Sequence, residues 1–183
     1  MPARRAARKS AAAFIAALVV YLVIAVVTYR EFSLSRSAGE RYLHTHEVLQ
    51  ECNVLLLRLT QAESAARAFA ITGIAQDSED HRNAAADIPR RLDRLQQLVT
   101  DNPVQGARLV PLTAVIATRL EHAHKIVEAR GRGRLDVAAA LVQSRAGHEA
   151  MREIQRQIDA LKGEEERLLT ARSAALAQHQ SGA

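Results

Sequence analysis

Glu63 and Arg67 stand four residues apart, the spacing that sets two side chains side by side on one face of a helix. They lie among the members of an apolar stripe running Cys52, Leu55, Leu56, Leu59, Ala62, Ala66 and Phe69. A charge on a core-facing line is costly unless it is paired. Three readings stand. The two charges form an ion-pair layer that fixes helix register, or they form a ligand or switch layer with Phe69, or they are exposed on a shifted stripe. Glu165 and Arg172 raise the same question on a later stripe. Height along the helices keeps the two pairs apart: Glu63 belongs near one end of a bundle, Glu165 near His44 and Glu47 toward the other.

Other reactive side chains do not assemble into a known chemistry. Di-iron bundles need two Glu-x-x-His motifs and two further inward glutamates. Glu121 to His124 supplies one such motif. His122 and His124 are two apart and point to different faces, as do His44 and His46, so no metal and no cofactor is expected. Cys52 is the only cysteine. It reads either as a small buried hydrophobe or as a disulfide between two copies across a dimer seam. No glycine-rich phosphate loop, nucleophile motif or kinase-type nucleotide motif is present, and the chain is not expected to be an enzyme.

The formal net charge is +5, but four of those charges are Arg4, Arg5, Arg8 and Lys9, leaving the remainder near +1. Aromatic residues make up 3% of the chain, too few to build a base-stacking platform, so nucleic acid is set aside as a partner.

The basic cluster precedes residues 11–29, nineteen positions without a charge. A helix of that length runs roughly 28 Å, near the hydrocarbon thickness of a bilayer. The flanking cations place the N-terminus in the cytoplasm and the rest of the chain outside it. A cleaved signal peptide is the rival reading. Its apolar region is normally about 7–15 residues and ends in a small-x-small site, which VVTYREF lacks. The expected organisation is therefore a cytoplasmic basic tail over 1–10, a transmembrane helix over 11–29, an extracytoplasmic region over 30–176 and a disordered tail over 177–183. That is a single-pass protein of the inner membrane.

Ala, Leu, Arg, Glu and Gln dominate, no stretch alternates with period two, and the chain reads as all-α. The first segment continues from the span to Thr72-Gly73, with Gly73 as a left-handed cap. The second runs from Asp77 or Ser78 to Thr100, with Ile88, Leu92, Leu95 and Leu98 or Val99 as its stripe and Pro89 as an expected kink. Asp101-Asn102-Pro103 is a boundary: a capping side chain, then proline at the first helical position. The third carries Leu109, Leu112, Ile116, Leu120, Ala123 and Val127 and closes at Gly131-Arg132-Gly133. The fourth starts near Arg134 and places Met151, Ile154, Ile158, Leu161, Glu165, Leu168 and Arg172 at coiled-coil spacing, with a break between Ser144 and Gly147. The pattern predicts an up-down four-helix bundle in which the first and fourth segments outrun the others as a long two-helix stalk.

Five motifs occur in order: HTHEVL at 44–49, AESAARAFAITG at 62–73, LVTDNPVQ at 98–105, GHEAMREIQRQI at 147–158 and EEERLLTAR at 164–172. Together they resemble the third type of CHASE domain, the extracytoplasmic sensory domain of bacterial histidine kinases, cyclases and related receptors. The resemblance covers about Ser33 to Arg172. It implies that Glu63, Arg67 and Gly73 occupy the family's acidic, arginine and glycine positions. Asp101, Asn102 and Pro103 match its mid-domain turn, and Glu165, Leu168, Leu169 and Arg172 its closing signature. Where the family has glycine and tyrosine after the arginine, this sequence has Ala68 and Phe69, which removes a hydroxyl. Family members follow the closing signature with a second membrane helix and a signalling module; the sequence ends at Ala183 with neither.

The resemblance implies a membrane-anchored signal-input domain without its own output module. It would act as a homodimer through paired anchor helices, with an unknown small-molecule ligand. Its partners would be the bilayer and a histidine kinase, cyclase or chemoreceptor, as in two-component systems. The alternative is a membrane-tethered structural or interaction protein that binds a partner receptor.

Overall fold

A computed structural model describes the backbone of residues 2–181 and the side chains of residues 18–30, 42–145, 147–171 and 173–174. Among the described residues five helices follow one another: α1 (Pro2–Thr72), α2 (Ala75–Leu98), α3 (Pro103–Gly131), α4 (Leu135–Gln143) and α5 (Arg145–Ser181). Among the described residues there is no strand. The chain divides into two compact units, Met1–Leu43 and His44–Ala183.

In the first unit every described side chain from Leu18 to Arg30 is exposed. Among the described residues no helix is long and apolar enough to cross a membrane. The span expected over 11–29 falls partly outside them, since the side chains of residues 11–17 are not described, nor are those of Arg4, Arg5, Arg8 and Lys9.

The second unit is built around one apolar core. Val48, Cys52, Leu55, Leu59 and Ala62 of α1 meet Ala84, Ile88, Leu95 and Leu98 of α2. Leu109, Leu112 and Ile116 of α3 and Ile154, Ile158 and Leu161 of α5 complete it. On each helix these positions recur at steps of three, four or seven residues, so one face goes inward and most charged residues stay out. Each fully buried aliphatic side chain contributes about 1.5–3 kcal/mol.

The connections follow from local chemistry. Gly73 takes φ 72°, and its N–H donates to the Phe69 carbonyl at 2.9 Å, closing α1 with a left-handed cap. The positive φ is what demands glycine; a Cβ here would also lie 2.3 Å from Arg130 Nη2, the mobile tip of a long side chain that can swing aside. Asn102 caps α3, its side-chain oxygen accepting from the Gln105 N–H at 3.3 Å, and Pro103 opens the helix. Leu168 and Leu169 are half-buried on α5.

Several details differ from the sequence reading. The fourth segment is two helices, α4 and α5, separated at Ser144, whose ψ of 135° is extended. The break falls inside the expected interval. α2 begins earlier, at Ala75, ends at Leu98, and runs on through Pro89, which is exposed. A proline there removes a single N–H on the solvent side. On α3 the buried positions after Ile116 are Arg119, Ala123, Ile126 and Ala129, whereas Leu120 and Val127 are half-buried. The two-helix stalk was expected to include Glu165 beside His44 and Glu47, but Glu165 is buried and bonded by Gln105 of α3, so this level still belongs to the bundle. The side chains of residues 31–41 and 175–183, where the rest of the stalk was expected, lie outside the described ones, as does that of Arg172. The tail expected from 177 falls there too; α5 is helical to Ser181.

Cys52 is fully buried, and its thiol is pushed up to about 12 by that burial. Nearby Lys162 opposes the shift, and Glu165 and Glu51 add to it. The residue fills the small-hydrophobe role and leaves no sulfur at the surface for a bond to a second copy.

Candidate functional site

Three polar clusters interrupt the apolar bundle, and they differ in how well their members are satisfied. The first joins α1 to α2. Asp87 accepts from Arg58 Nε at 3.0 Å, from Arg90 Nε at 3.0 Å and from Arg91 Nε at 3.1 Å. Arg91 Nη1 also donates to Glu51 at 3.1 Å. An open groove of about 970 Å³ runs beside this network and includes Arg58, Asp87 and Arg90 in its lining. Its arginines already hold each other's counter-charges, so they offer little to a ligand.

Hydrogen bonds from Arg90 hold the Asp87 carboxyl below the usual carboxylate range; burial opposes this and Arg91 reinforces it. A carboxyl depressed in the folded state stabilises the fold above its unfolded value of about 3.9 and loses that contribution as pH falls through the folded value. Asp87→Asn is therefore expected to cost about 1–2 kcal/mol at pH 7. The difference from the parent chain should shrink toward pH 3, as urea midpoints at the two pH values would show.

The second cluster is a buried layer low in the bundle. Thr45 Oγ1 donates to Glu165 Oε2 at 2.9 Å, and Gln105 Nε2 donates to Glu165 Oε1 at 2.5 Å. It ties α1, α3 and α5 in one register. Glu165 thus meets a threonine and an amide rather than an arginine. Exposed Asp101 lies close by, 3.8 Å from His44. Glu63 sits about 27 Å further along α1 by helical rise, and the two glutamates do not meet.

The third cluster contains Glu63 and Arg67. Glu63 Oε1 accepts from Arg67 Nη2 at 2.6 Å and is 2.7 Å from Arg119 Nη2. Two arginines therefore share one carboxylate. Arg67 is 42% exposed, but Arg119 is only 6% exposed. Its Nε and Nη1 are buried without a hydrogen-bond partner. Each such unmet donor costs about 1–3 kcal/mol. Phe69, two residues beyond Arg67 on α1, is half-buried.

The break between α4 and α5 closes over this arginine. His122 Nε2 lies 3.1 Å from the Leu141 carbonyl oxygen, to which it donates, and 3.3 Å from Ser144 Oγ. Gly147 packs beside them at ordinary contact distance: a Cβ there would lie 3.6 Å from Arg119 Cζ and from His122 Nε2. Glu63, Arg67, Arg119, His122, Ser144 and Gly147 help line a cavity of about 10 Å³. Among the described residues no group of three or more His, Cys, Asp or Glu could hold a metal ion.

Sequence reasoning placed Glu63 and Arg67 together correctly but missed Arg119, Gln105 and His81. The first two continue the α3 stripe in alternating steps of four and three: Gln105, Leu109, Leu112, Ile116, Arg119, Ala123, Ile126. That unbroken spacing was the available signal. His81 is buried with Nδ1 donating to the Ala62 carbonyl at 2.8 Å, and no pattern in the sequence announces it.

A protein-family model described as the CHASE3 domain matches residues 38–175. The crystal structure of the sensor domain of histidine kinase HK9 from Rhodopseudomonas palustris is similar in fold, with a TM-score of 0.65 and 24% sequence identity. The similarity covers 69% of this chain and 98% of that one. No curated protein matches the sequence.

Proposed function

The chain belongs to the CHASE3 domain family, and on that footing we propose that it is the extracytoplasmic signal-input domain of a bacterial receptor system, held in the membrane by residues 11–29 and working as a dimer. The family match over most of the chain carries this reading. The uncharged run behind Arg4, Arg5, Arg8 and Lys9 supports the anchor, as does the exposure of every described apolar side chain from Leu18 to Tyr29.

The Glu63 and Arg67 pair serves as the switch layer. It sits on α1, the helix that also carries the apolar run, and it is bridged to α3 through Arg119. A ligand that favours one arrangement of this layer shifts the position of α1 against its neighbours. The shift passes along α1 to the anchor, where a paired helix in the second copy makes it readable.

Location gives a direct test. Cys52 is buried with a raised thiol pKa, so it stays silent toward maleimides in the folded protein. Thr118→Cys introduces a thiol at an exposed position of α3. A membrane-impermeant maleimide is expected to label that variant in intact cells. Labelling only after the cells are opened would overturn the proposal.

A further inference from the structure

The geometry points to a binding site for a small oxyanion, a carboxylate or a phosphate, held by Arg119 between α1, α3 and the α4–α5 break. This rests on the sensory reading above and names the ligand class of its switch layer.

Arg119 is the reason. It is almost fully buried, and only Nη2 has a partner, Glu63 at 2.7 Å; Nε and Nη1 have none. The small cavity beside it has room for one oxygen-sized atom. An adjoining open groove of about 560 Å³ shares Glu63, Arg67 and His148 with that cavity and adds Met151, Arg152 and Gln155. The ligand therefore has a narrow end, where one oxygen meets the buried guanidinium, and a wide end open to solvent.

Charge says which ligand. Arg67, Arg119 and Arg152 face this space against a single carboxylate, Glu63, so the lining carries an excess of two positive charges. A cation would be repelled, and a neutral molecule would leave the arginines uncompensated. An oxyanion supplies both the acceptors that the Arg119 N–H groups lack and the missing negative charge, and guanidinium groups match it in geometry. The three arginines come from three helices: Arg67 from α1, Arg119 from α3 and Arg152 from α5. A bound anion therefore ties these helices together. The first turn of α5 lies against the guanidinium at Gly147, at ordinary contact distance.

The test uses the full chain in mild detergent. Sodium phosphate, sodium acetate and sodium succinate are titrated separately against sodium chloride at matched ionic strength, with heat release and the thermal midpoint as readouts. At least one oxyanion is expected to bind saturably and raise the midpoint where chloride does not. A response to phosphate alone identifies a phosphate site; a response to acetate or succinate identifies a carboxylate site. Arg119→Gln should abolish the saturable binding. Because that variant can lose stability, Arg152→Gln, at an exposed position, is the second probe and should weaken binding about tenfold, the equivalent of one charge-assisted hydrogen bond. If all three anions behave like chloride, the cavity holds only water and the proposal falls. It also falls if an anion binds equally well to both variants. None of these readouts depends on cellular location, so failure here leaves the maleimide test, and the sensory reading it probes, standing or falling by itself.

Discussion

Glu63→Gln is expected to destabilise the bundle by about 3 kcal/mol. The substitution keeps the shape of the side chain and removes its charge. Arg119, 6% exposed, then has no counter-charge within reach of its guanidinium. Breaking one partner out of a buried pair typically costs about 3–5 kcal/mol, because a desolvated charge is stranded. The lower end applies, since Arg67 on the other side of Glu63 is 42% exposed and turns out to water at little cost. For that reason Arg67→Gln should cost less than about 1 kcal/mol. Adding Arg119→Met to Glu63→Gln should recover roughly 2 kcal/mol, since the stranded charge is gone and an unbranched apolar chain fills its place. Urea unfolding followed by far-ultraviolet circular dichroism measures all four chains. A loss below about 0.5 kcal/mol for Glu63→Gln would mean that water reaches the layer freely.

The second large effect belongs to the apolar core. Ile158→Ala should cost about 4 kcal/mol, within the 2–5 kcal/mol seen when a fully buried isoleucine is cut to alanine. Ile158 is completely buried between Ile154 and Leu161 on α5 and belongs to the core shared by α1, α2 and α3. Alanine favours helix, so the loss measures packing and the cavity left behind rather than helix propensity. Ile74→Ala is the control, because Ile74 is 57% exposed at the start of α2, and it should change stability by less than about 0.5 kcal/mol. Equal effects at the two positions would contradict the assigned core.

The contrast between these two sites explains what could be read from the sequence. The stripes of α1, α2 and α5 were legible because apolar side chains at steps of three and four have one plausible destination, and Val48 to Ala62, Ile88 to Leu98 and Ile154 to Leu161 all go there. The turns were legible for an equally local reason. Gly73 ends a helix that only a residue without Cβ can end in this way, and Asn102-Pro103 starts one.

Arg119 was hard to read because its burial is a property of two helices at once. Its 4-3 spacing along α3 was a signal, but Leu120 beside it is the better apolar occupant of that turn, and hydrophobicity selects it. The arginine goes inward because Glu63 on α1 already stands there, and opposite charges on facing helices satisfy each other in a place neither would occupy alone. Gln105 follows the same logic with Glu165. Glu63 and Arg67 at i and i+4 suggested a self-contained pair; the pair is real, but it is two-thirds of a cluster whose most buried member comes from elsewhere.

The single thiol has a further consequence. Sulfur reacts with peroxide and with disulfides as the thiolate, and at an ordinary pH Cys52, pushed up to about 12 and sealed in the core, supplies almost none. Glutathione-rich and air-oxidised surroundings therefore leave this thiol in the same reduced state as long as the protein stays folded.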